Sequence, residues 1–152
     1  MAATKDEMIS TLNDLIETCK DGEQGYRTAA ESVKNGELKP LFTSYAQQRG
    51  QFGTALREEL RALGGDPEKS GSVAGALHRG WINVKSAVTS DPDEGAIIAE
   101  CERGEDEAVK NYKAALEKGL PSKLNAIVQQ QFRQVQQAYD RIRAMELATT
   151  KA

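Results

Sequence analysis

Glu23 and Glu105 are the residues of this sequence best placed to do chemistry. Each ends a Cys-x-x-Gly-Glu string, Cys19 to Glu23 and Cys101 to Glu105. A four-residue step is close to one helical turn, so each glutamate continues the stripe begun by its cysteine and is expected to point inward. Two inward carboxylates must share a proton, bind a cation or meet a positive side chain. A bound cation would make them a carboxylate-bridged di-metal centre, with iron or manganese as the metal. The full donor set of such a centre takes a Glu from each of two helices and Glu-x-x-His from each of two others. The chain has one histidine, His78, so only a reduced set of Glu23, Glu105 and His78 is available.

The positive side chain is Arg49, which lies at the corresponding depth of another helix, beside Gln48 and opposite Gln130, Gln131 and Gln134. A guanidinium with two carboxylates and glutamine amides forms a hydrogen-bonded polar core of Glu23, Glu105, Arg49, Gln48 and Gln130 without metal. We expect that network and no cofactor. The glycines before the two glutamates, Gly22 and Gly104, sit mid-helix at about 1 kcal/mol each relative to alanine, which points to close approach of the helix backbones there. Tyr26 and Tyr112 lie on the same stripes. A second histidine is missing, so Ser/His and Cys/His nucleophilic catalysis is not expected. His78 and Trp81, in Gly75-Ala76-Leu77-His78-Arg79-Gly80-Trp81, are expected to seat a short helix. Cys19 and Cys101 fall about 12 Å apart along antiparallel helices and are expected to stay unbonded.

The elements that must carry these groups are helical. Aromatic residues are 5% of the chain, and Ala, Glu, Gln and Lys are abundant. Thr4 and Glu7 have capping-box spacing ahead of the stripe Met8, Leu12, Ile16, Cys19, Tyr26, with Asn35-Gly36 as the stop. A second stripe runs from Leu41 to Leu63 and stops at Gly64-Gly65. A short helix follows over 72–89. Two more helices lie before Gly119 and after Pro121. The Cys-x-x-Gly-Glu strings are 82 residues apart, and the same offset pairs Gln48 with Gln130 and Leu60 with Ile142. The reading is one domain over 1–152: hairpins 5–63 and 92–148, related by an approximate two-fold and joined by the crossover that holds the short helix. This is an all-α, ferritin-like up-down four-helix bundle.

Charge and hydropathy narrow the function classes. With 20 basic and 23 acidic side chains the net charge is −3, so nucleic acid is not an expected partner. No apolar run reaches the roughly 18 residues of a membrane span. The start, MAATKDEMISTLNDL, has neither basic leader nor apolar signal core, which makes the cytoplasm the expected location.

The segments Asp21-Gly22-Glu23-Gln24-Gly25-Tyr26, Gly71-Ser72-x-x-Gly75-x-x-His78-Arg79-Gly80-Trp81 and Cys101-Glu102-Arg103-Gly104-Glu105-Asp106 resemble a bacterial ferritin-like four-helix-bundle family of unknown function. The resemblance covers about residues 6 to 147. It implies the bundle fold, a bacterial origin and a cytoplasmic setting, and supplies no activity. The expected function is therefore a non-enzymatic, structural or stress-associated bundle, a homodimer by the habit of such folds. The alternatives are a metal-binding oxidoreductase with a reduced ligand set and a helical module that docks an unidentified protein.

Overall fold

The computed structural model describes residues 2–67 and 94–151, with side chains described as far as 148. The expected crossover helix over 72–89, with His78 and Trp81, lies outside the described residues. Those described form four α-helices and no strand: α1 (Lys5–Ser32), α2 (Leu38–Ala62), α3 (Glu94–Leu116) and α4 (Ser122–Lys151). They make an all-α four-helix bundle.

Local chemistry sets most of the helix ends. At the start of α1 the Glu7 amide donates to Thr4 Oγ1 (3.1 Å) and the Thr4 amide to Glu7 Oε1 (3.0 Å), completing the expected capping box. α1 ends at Ser32, three residues before Asn35, because Asn35 serves the next helix. Its Oδ1 accepts from the amides of Glu37 (2.7 Å) and Leu38 (3.2 Å), the first free donors of α2. α2 closes with Gly64 at φ 84°, as the Gly65 amide reaches Leu60 O and the Gly64 amide reaches Arg61 O, both at 2.9 Å. That left-handed turn suits glycine.

α1 packs against α2, and α3 against α4, as two hairpins. α1 and α3 run antiparallel at the seam between them: Cys19 lies beside Tyr112, Tyr26 beside Glu105, and the Ala3 amide donates to Gly119 O. α2 and α4 approach more loosely. The apolar core has two parts. One gathers Leu12, Ile16, Leu56, Leu60, Val128 and Val135; the other gathers Ala29, Phe42, Ala46, Ile97, Ile98 and Ile142. Arg49 and Glu105 fall between these groups along α2 and α3, so a polar layer crosses the middle of the bundle.

Candidate functional site in the polar layer

Arg49 is the one buried cation among the described residues, 1% exposed, and Glu105 is fully buried. Arg49 reaches from α2 across the core and grips the carboxylate with both arms, Nη1 to Oε1 at 2.6 Å and Nη2 to Oε2 at 2.8 Å. Planar fork and planar carboxylate match, so the two charge-assisted bonds fix the orientation of both groups. From α1 the Tyr26 hydroxyl donates to Oε2 of the same carboxylate, while the Tyr26 ring lies 5.5 Å from the guanidinium carbon. Arg49 Nε donates to Gln48 Oε1 (3.3 Å), and the Gln48 amide donates to Gln134 Oε1 on α4 (3.0 Å). One chain of bonds thus touches all four helices.

Gly22 explains how a side chain as long as arginine enters. A Cβ at Gly22 would stand 3.3 Å from Arg49 Cγ and 3.4 Å from Nη1. The mid-helix glycine therefore gives the guanidinium its path, a close approach by a side chain and not by a backbone.

A second chain of bonds lies beside the first. The Tyr112 hydroxyl donates to Gln131 Oε1 (2.7 Å), lies 3.2 Å from Cys19 Sγ, and is tied to α2 where Gln131 Nε2 donates to Phe52 O (3.4 Å). Burial holds the hydroxyls of Tyr26 and Tyr112 well above the ordinary tyrosine pKa; Glu105 adds to this at Tyr26 and Cys19 at Tyr112. Burial also pushes the Cys19 thiol up to about 11 and Cys101 higher still. Desolvation is the largest single influence on Arg49 and works against its charge, yet the Glu105 carboxylate together with Tyr26 and Cys19 outweighs it and keeps the guanidinium protonated. The layer is a set of neutral tyrosines and thiols around one ion pair, with no activated nucleophile among them.

Two of the expected positions are corrected. Glu23 does not face Glu105: its side chain is 33% exposed at the outer edge of α1 and α2, where Oε2 accepts from Arg27 Nη2 at 3.0 Å. The repeat itself gives the reason. Its 82-residue offset sets Arg49 of α2 against Gln131 of α4, so the second hairpin has no guanidinium to compensate a buried Glu23. Gln130 is exposed, and the inward amides of α4 belong to Gln131 and Gln134. Extending the Gln48–Gln130 match by one residue leads to Gln131. Two further acids of α1 escaped the sequence reading: Glu17 and Asp21 are each 3% exposed, and both are held in interactions of their own. Cys19 and Cys101 are buried free thiols.

These groups do not fit a di-metal centre. Both Glu105 oxygens are occupied by the guanidinium, and a fixed positive charge there opposes a second cation. Glu23 is too far out to join it, and His78 lies outside the described residues. Among the described residues no three His, Cys, Asp or Glu side chains gather as a metal would require.

No curated protein matches the chain. Among solved structures, it is similar to a two-domain protein of Anabaena variabilis that contains DJ-1/ThiJ/PfpI-like and ferritin-like domains. The TM-score is 0.80 at 18% identity, covering 99% of this chain and 42% of that one. At that identity the likeness is one of fold, and the fold is ferritin-like. The chain spans 42% of the length of that protein. A family model described as a domain of unknown function, DUF2383, matches residues 7–118, and the chain belongs to that family.

Proposed function

We propose that this chain is a non-enzymatic ferritin-like bundle with a structural role, in which the Arg49 guanidinium takes the place of a metal cation at the centre of the core. One observation carries the reading: both oxygens of the buried Glu105 carboxylate are bound by Arg49 at 2.6 and 2.8 Å. Three of the roughly four acceptor sites of that carboxylate are filled, two by the guanidinium and one by the Tyr26 hydroxyl, which leaves it poorly suited to bind a metal or to shuttle a proton. The work of the pair is to fix helix pairing and register, tying α2 to α3 while Tyr26 and Gln134 tie in α1 and α4.

An oxygen electrode tests this. Ferrous iron added aerobically to the tag-free protein is expected to be oxidised no faster than in buffer, for wild type and Glu105→Gln alike. Iron oxidation that is fast in wild type and lost in Glu105→Gln would overturn the proposal in favour of a metal-handling oxidoreductase.

A further inference from the structure

We propose that the cleft between α1 and the C-terminal end of α3 is a binding site for a small primary ammonium ion, a monoamine with a short alkyl chain. The cleft measures about 80 Å³, and three oxygen-bearing side chains line it: Thr11 and Asp14 of α1 and Asn111 of α3. Each has an acceptor to spare. Thr11 is 6% exposed, and no described residue bonds to its hydroxyl. A buried hydroxyl left without a partner is costly, which marks the cleft as a place for a polar ligand. The Asp14 carboxylate is half-buried, and no described side chain donates to it. Asn111 is held in place by Thr18: its Nδ2 donates to Thr18 Oγ1 (3.1 Å), which donates to Asp14 O (2.8 Å). With that nitrogen taken, Oδ1 is the atom Asn111 has left for a ligand.

This lining is rich in acceptors, and that selects the ligand. A primary ammonium brings one positive charge and three N–H donors, one for each oxygen. An anion could use Lys118 and the Thr11 hydroxyl but would meet the Asp14 carboxylate beside them. Ala114 and Ala115, also in the lining, stand in the last turn of α3, where the helix dipole favours a cation. Their methyls and the buried Leu15 give an alkyl chain an apolar wall. By volume the cleft holds about five groups the size of a water molecule, which leaves room for two or three carbons behind the nitrogen. The exposed Lys118 opposes a second positive charge, so a monoamine fits better than a diamine.

Titration of the tag-free full chain with propylammonium chloride, followed by backbone amide chemical shifts in NMR, tests the site. Saturable shifts centred on Thr11, Asp14 and Asn111 are expected, with a dissociation constant of about 1 mM, a scale open to a ligand of so few atoms. Asp14→Asn keeps the shape and removes the charge, and should weaken binding at least about tenfold; Thr11→Val should weaken it by about threefold or more. Asp14→Asn relieves a half-buried charge, so its fold is not in question, and the melting temperature is recorded for both variants. Tetramethylammonium has the charge without N–H donors and should bind at least about tenfold more weakly than propylammonium. No saturable shift up to about 50 mM amine, tetramethylammonium binding as tightly, or an Asp14→Asn variant within about threefold of wild type would each overturn the proposal. Tighter binding of ethylenediamine than of propylammonium would overturn the choice of a monoamine.

Discussion

Replacing Arg49 by leucine isolates the ion pair that crosses the core. The leucine fills part of the space but leaves the Glu105 carboxylate fully buried with the Tyr26 hydroxyl as its remaining described donor. Removing one partner of a buried pair costs about 3–5 kcal/mol, chiefly the desolvation of the stranded charge. Against a total stability of about 5–15 kcal/mol, and at roughly 2–4 °C per kcal/mol for a chain of this size, the melting temperature should fall by about 6–20 °C. Urea denaturation followed by circular dichroism gives the free energy. Arg49→Leu combined with Glu105→Leu removes both charges, so most of the loss should return, leaving the double variant within about 1–2 kcal/mol of wild type or above it. An Arg49→Leu variant within about 0.5 kcal/mol of wild type would refute the reasoning. So would a double variant that loses the sum of its two single changes.

Glu23→Ala should alter stability by no more than about 0.5 kcal/mol, because its ion pair with Arg27 is an exposed pair one turn apart on α1; urea midpoints beside those of Glu105→Ala make the contrast. Asp14 gives a pH dependence: burial raises its carboxyl above the ordinary value, with Lys118 opposing. The folded state thus holds that proton more tightly, so the Asp14 contribution is fully present below the ordinary carboxyl range near pH 4 and is lost as pH rises through the raised value. Asp14→Asn should therefore gain stability over wild type from acid to neutral pH, read as a widening gap in urea midpoints. Both cysteines should resist a disulfide-exchange reagent at pH 8 and react fully in denaturant, since burial raises their pKa values and shuts out the reagent.

The helices were legible because their signals are local. Thr4 with Glu7, and Gly64-Gly65, act within one turn of chain, and the apolar stripes need only the 3.6-residue period. Asn35 suggests a stop for α1, but its side chain starts α2, an ambiguity inherent in a residue that can cap in either direction. In the polar layer, Arg49 and Glu105 were reachable from the repeat, and so was Gln131, one register position from the chosen Gln130. The place of Glu23 was not, because the stripe allows an inward glutamate, and which carboxylate the one buried guanidinium meets is set by the other helices. Arg49 compensates one carboxylate, and α4 offers Gln131 where a second guanidinium would have to stand. That decision is made by side chains from three helices at once, which no single periodicity records.

Elemental analysis reaches the central claim most directly. Protein prepared without a tag, from cells grown with ample iron and manganese, should contain neither metal in stoichiometric amount, before or after Arg49→Leu. One metal ion per chain in the wild type, lost in Glu105→Ala, would contradict the assignment of Arg49 as the cation of this core.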